Sequence, residues 1–143
     1  MIQENKELLM KDLCARLPYG VKVLNMAEGI NEVCELDSIM TSRKHKDKIF
    51  VSLTLPDDTV MTGIEMVKPY LRPMSSMTEE ERKYYIHLLN LAKSDRIVTS
   101  KGGLGTSGAG DIIDYLISHH FDYRGLIPMG LALEAPEVMY KNK

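Results

Sequence analysis

A chain of 143 residues with a formal net charge of -2 has the length of a single domain and no charge excess to favour bulk binding of nucleic acid. With 44% hydrophobic and 27% charged residues it can fill its own core, and no apolar run approaches the ~18 residues that would mark a membrane helix. Cys14 and Cys34 lack partner histidines at ligand spacing, which excludes a zinc site and a disulfide framework and fits a reduced, cytoplasmic setting.

Gln3–Leu17 reads as an amphipathic helix, with Leu9, Met10, Leu13, Cys14 and Leu17 on one stripe. Pro18-Tyr19-Gly20 turns the chain out of it. Val21, Val23 and Asn25 then share one face of a short strand, Glu28-Gly29 forms a turn, and Ile30–Leu36 gives a second strand. Arg43–Lys48 is a basic run that reads as a solvated hairpin loop, with contact to phosphate or an acidic partner as the second reading. Ile49–Leu55 alternates most clearly, and Pro56-Asp57-Asp58 returns it into a short strand at Thr59–Thr62 that Gly63 ends. Ile64–Leu71 reads as an irregular turn laying Ile64, Val67 and Leu71 on the core. Four or five short strands between about Val21 and Val67 predict a small antiparallel barrel or strongly bent sheet. Ten methionines and no tryptophan predict a core filled by adaptable side chains.

Val67–Glu81, VKPYLRPMSSMTEEE, divides the chain. Pro69 and Pro73 each lack a backbone donor, so no regular ladder is expected here. Thr78 and Glu81 form a capping box, and Glu79–Glu81 suit the positive end of the helix that follows. That helix carries Tyr85, Leu88, Leu89 and Ala92 at helical spacing, and Lys93-Ser94-Asp95 is expected to close it. Arg96–Ser100 then reads as a short strand or extended chain.

Lys101–Gly110, KGGLGTSGAG, is the most suggestive segment chemically. Gly103, Gly105 and Gly108 satisfy G-x-G-x-x-G ahead of a helix, so backbone N–H groups could face an anion. Lys101, Thr106 and Ser107 add a charge and two hydroxyls, and Tyr123 and Arg124 offer stacking and charge. These residues form the candidate ligand site. Against it, no parallel strand is expected after the helix, the lysine precedes the glycines, and Asp111 lies where an anion would approach. A plain surface loop is the competing reading. Neighbouring His119 and His120 face different directions on a helix and cannot chelate one metal together. The tail from Phe121 is apolar at Leu126, Ile127, Met129, Leu131 and Leu133, so it should dock on the core, a second copy or a partner.

KDLCARLPYGVKV together with VKPYLRPMSSMTEEE, and the terminal FDYRGLIPMGLALEAPEVMY, resemble a group of small uncharacterised proteins of phages and mobile elements of gut anaerobes. The resemblance implies a phage-encoded accessory protein, acting in the host cytoplasm, that blocks a host factor or sequesters a defence signal. It implies no catalytic residues.

The expected fold is α+β in a single domain, 1–143. It comprises an N-terminal helix, a small antiparallel barrel-like unit, then two helices and a docked tail. The β-rich part covers about 18–71 and the helical part about 78–143, with a softer boundary at Arg72–Met77. The expected function is non-enzymatic binding of a small anionic, nucleotide-type ligand, without cofactor or metal and with a homo-oligomer formed through the tail. The alternatives are a module that binds and inhibits a host protein, and a small nucleotide- or phosphate-processing enzyme. No Ser/His/Asp arrangement or carboxylate pair stands out by spacing to favour the enzyme.

Overall fold

The computed structural model describes residues 1–99 and 107–141, with side chains for all of these except 94–99 and 107–109. Helix α1 (Gln3–Arg16) buries Leu9 and Leu13 completely. Asp12 and Arg16 lie on the same face and are buried with them. Pro18 follows in a 3-10 turn, and Gly20, at φ 69°, takes the left-handed conformation that reverses the chain into the sheet.

Strands β1 (Lys22–Asn25), β2 (Glu32–Thr41), β3 (Ile49–Thr54) and β4 (Thr59–Gly63) form an antiparallel meander. The chain then crosses back to add β5 (Val67–Leu71) beside β1, and β6 (Leu133–Glu134) pairs in parallel outside β5. The order is β4-β3-β2-β1-β5-β6. Because β5 joins β1, β4 is an edge with no partner beyond β3 among the described residues; the sheet is open, and the expected barrel does not form. Short-strand spacing predicts pairing, but closure depends on where the last strand lands.

Val23, Cys34, Leu36, Val51 and Leu53 line the face under α1 in one cluster with Ile64, Val67 and Leu71. Each large side chain removed from water there contributes roughly 1.5–3 kcal/mol. On the other face Val33, Phe50 and Met61 remain exposed.

β5 corrects the expectation of an irregular turn, and its ladder accommodates Pro69. Met26 N–H donates to the Met66 carbonyl at 2.8 Å. Hydrogen-bonded pairs alternate from there, so Pro69, opposite Val23, falls at a position that makes no rung with β1. Its missing donor faces the other side, where β6 pairs only with Tyr70 and Leu71. One step further the register opposes Lys22 with Tyr70. There the Tyr140 hydroxyl stands between the strands, accepting from Lys22 N–H at 3.0 Å and donating to the Tyr70 carbonyl at 2.8 Å.

Helix α2 (Glu79–Thr99) continues through Lys93–Asp95, so the helix end and the strand expected there are replaced by further turns of helix. No glycine or proline occurs before Gly102 to break it. Helix α3 (Ser107–Ser118) packs on α2, with the Tyr84 and Tyr115 rings 4.9 Å apart and Leu88, Ala92, Leu116 and Ile117 buried. It starts ahead of Asp111 and takes Gly108 and Gly110 into its backbone. No helix among the described residues is long and apolar enough to cross a membrane.

After α3 the chain bonds back to β5. Arg72 N–H donates to the His120 carbonyl at 2.7 Å, and Asp122 N–H to the Arg72 carbonyl at 2.8 Å. This bridge and β6 supply parallel pairing that the sequence does not predict. Both Asp122 carboxylate oxygens accept backbone bonds, from Leu126 N–H at 2.8 Å and Ile127 N–H at 2.9 Å. That clamp folds the tail inward. Leu126 and Leu131 are buried in the protein's own core, while Met129 stays 48% exposed. The apolar patch on which the expected homo-oligomer rested is thus largely covered from within.

Candidate functional site

The end of β5, the start of α2, the end of α3 and the tail surround a cleft of about 710 Å³, within the size range of small-ligand sites. Arg72 forms its inner wall. Both terminal nitrogens donate to Glu81, at 2.7 and 2.8 Å, and the guanidinium lies 4.2 Å from the centre of the Phe121 ring. The same Glu81 completes the capping box: Thr78 N–H donates to it at 2.9 Å, and Glu81 N–H donates to Thr78 Oγ1 at 3.1 Å. The hydrogen bonds from Arg72 and Thr78 hold the Glu81 carboxyl at about 2, below its ordinary value of 4.5. Arg72 is therefore committed to the protein and poorly placed to take a ligand's phosphate.

Next to Arg72, which donates to the carbonyls of both, His119 and His120 continue the lining. His120, at φ 65°, is buried and stacks on Tyr140 with ring centres 3.7 Å apart. His119 is exposed and packs against Tyr115 with ring centres 4.3 Å apart and planes tilted by 38°, and Tyr115 in turn lies 4.9 Å from Tyr84. His119 Nδ1 is 3.1 Å from the Tyr115 carbonyl and 3.2 Å from Ser118 Oγ. We assign the ring hydrogen to Nδ1, since a carbonyl only accepts, which leaves Nε2 as the acceptor in the neutral ring. Ser118 Oγ donates to the same carbonyl at 3.0 Å. This serine–histidine contact therefore lacks the base orientation that nucleophilic catalysis needs.

The tail brings Glu134, Glu137 and Lys141 to the rim. Lys141 pairs with Glu137 at 3.0 Å, whereas Glu134 forms no ion pair among the described residues. With Arg72 and Lys141 already matched to carboxylates, the lining among the described residues carries an excess of negative charge, and the carbonyl end of α3 points the same way. Burial pushes the Tyr140 hydroxyl up to about 12, only partly offset by Lys22 N–H and Arg16.

Of the sequence-derived site residues, Tyr123 and Arg124 do not line this cleft. Lys101, Gly103, Gly105 and Thr106 lie outside the described residues. Ser107 and Gly108 open α3, about 18 Å along its axis from the cleft at its far end. Tyr123 and Arg124 follow that far end and are turned to another task. Arg124 lies over Tyr123 at 4.8 Å, and its Nε donates to Asp12 at 3.2 Å. Asp12 also accepts from Arg16 at 2.7 and 3.3 Å, and Arg16 donates to the Phe121 carbonyl at 2.7 Å. Arg124 is thus part of a buried ionic cluster that fixes the tail to α1.

That cluster had a sequence signal. Leu9, Asp12, Leu13 and Arg16 fall at i, i+3, i+4 and i+7, placing an acid and a base on the apolar stripe. Neither thiol is activated: burial pushes up Cys14 and, with the charge of Glu32, Cys34. Among the described residues no three His, Cys, Asp or Glu side chains cluster to hold a metal. No protein-family model, curated protein or solved structure matches the chain.

Proposed function

We propose that the protein is a non-enzymatic binder of a small polar ligand rich in hydrogen-bond donors, an accessory protein of the phage or mobile-element kind that its sequence resembles. The observation that carries this reading is the cleft, of ligand size, whose cations are matched internally while Glu134 is left to face a guest. An amine or the exocyclic amino group of a nucleobase suits Glu134 and the carbonyl end of α3. A phosphate group does not. Anionic recognition of a nucleotide-type ligand, and with it the sequestration of a host defence signal, rests on Lys101–Gly108 instead.

Thermal-shift measurements with polyamines, nucleosides, and mono-, di- and cyclic nucleotides test this reading. Amines or nucleosides should raise the melting temperature in proportion to the logarithm of their concentration, and Glu134→Gln should remove the rise. Stabilisation by nucleotides alone, lost with Lys101→Ala and untouched by Glu134→Gln, would move the site to the glycine-rich stretch. A flat response throughout would reject small-ligand binding.

A further inference from the structure

On the far side of α1 a second, shallower hollow of about 510 Å³ separates the helix from the β2–β3 hairpin. Its lining combines Met10 and Ile49 with Lys11, Arg43 and Lys46, and Glu7 stands at one end. The hairpin loop over 42–48, SRKHKDK, carries four cations against one carboxylate in a chain whose net charge is -2. Positive charge is therefore concentrated here against the overall balance. Lys11, Arg43 and Lys46 form no ion pair among the described residues.

The walls are fixed to one another. Gln3 Nε2 donates to the Lys46 carbonyl at 2.9 Å and Lys6 Nζ to the Asp47 carbonyl at 3.2 Å, so α1 holds the loop by its backbone and leaves the loop's cationic side chains outward. A loop serving only to connect two strands requires neither that tether nor an apolar floor below its charges.

We propose that this groove docks an acidic, partly apolar peptide segment of another protein. An aliphatic or aromatic side chain of the segment rests on the half-buried Met10, above the core residue Ile49, with its carboxylates against Lys11, Arg43 and Lys46. Two alternative anions fit less well. The lining contains no aromatic side chain on which a nucleobase would stack or with which a membrane surface would be anchored. Glu7 would repel a uniformly charged phosphate polymer, whereas a peptide can place an uncharged residue beside it.

The test is selection of random peptides displayed on particles against the full chain, followed by fluorescence anisotropy with the enriched peptides synthesised and labelled. The expected consensus has Asp or Glu flanking a large apolar residue. Arg43→Glu with Lys46→Glu, both in an exposed loop, should weaken binding by about tenfold or more, and added salt should weaken it in the wild type. Replacing the acidic residues of the peptide by Gln should do the same. Selection that yields no acidic-apolar consensus overturns the proposal, as does a consensus peptide whose affinity ignores the two charge reversals. Vesicles of phosphatidylserine and a single-stranded oligonucleotide complete the set. Binding of either, lost on charge reversal while the selected peptide's binding is not, overturns it in favour of a lipid or nucleic-acid surface.

Discussion

Arg72 grips the carboxylate of Glu81 with both terminal nitrogens, at 2.7 and 2.8 Å, and that carboxylate also caps α2. One acid thus ties the end of β5 to the start of the helix. Its pKa, lowered from 4.5 to about 2, makes the tie pH-dependent. The folded-state value lies below the unfolded one, so the stabilisation is complete above about 4.5 and is lost as pH falls towards 2. With solvent screening at a partly exposed pair, the contribution is on the order of 1–3 kcal/mol. Denaturant midpoints measured across that window should fall for the wild type and fall less steeply for Glu81→Gln. Parallel curves would refute the linkage.

Asp12 is buried between Arg16 and Arg124. Asp12→Ala leaves the fully buried Arg16 uncompensated and should cost about 3–5 kcal/mol in urea unfolding. Asp12→Leu combined with Arg16→Met removes both charges and should cost less, even though the Phe121 carbonyl then loses its donor. A double variant no more stable than Asp12→Ala would show that the pair itself contributes the stability.

Tyr140 governs the alkaline side. Its hydroxyl titrates near 12 in the fold against 10.0 normally, so stability attached to the neutral phenol is present below about 10 and disappears as pH rises towards 12. Tyr140→Phe should flatten this limb. At neutral pH it should cost about 1–3 kcal/mol, because Lys22 N–H and the Tyr70 carbonyl lose their partner. Tyrosine titration followed by ultraviolet absorbance should show one fewer late-titrating phenol in the variant.

Leu126 and Leu131 belong to the internal core. Leu126→Ala should cost about 2–5 kcal/mol, and Leu126→Ser with Leu131→Ser more. Sedimentation of variant and wild type at equal concentration should give the same association state wherever the variant remains folded. A wild-type oligomer that dissociates in the folded double variant would restore the tail as an interface.

Local chemistry was legible and long-range placement was not. Both halves of the Thr78–Glu81 capping box form, and Ile49, Val51 and Leu53 point inward as their alternation predicts, because each signal spans only a few residues. β5 was missed because a proline is tolerated or excluded according to which neighbour its missing donor faces, and β1 lies more than 40 residues away in sequence. Barrel closure failed for the same reason. The cleft was invisible: Arg72 and His119, 47 positions apart, meet through packing that no spacing rule describes. Arg124 was recognised as a cation, but Asp12, 112 positions away, decides what it does.

The Tyr140 hydroxyl set between β1 and β5 reaches across 118 positions of sequence to Lys22, and this has a consequence for biosynthesis. A nascent chain can pair β1 to β4 as soon as they emerge, since those contacts are local in sequence. The pairs Asn25–Val67 and Leu24–Lys68 can follow as β5 emerges, but the Lys22–Tyr70 end of the seam, which the Tyr140 hydroxyl bridges, must wait until residue 140 has cleared the ribosomal exit tunnel. Arrested chains exposing residues only to about 130 should protect the meander from limited proteolysis and leave the Tyr70 end of β5 more open to cleavage than in the full chain. Extension until Tyr140 emerges should close that site in a single step.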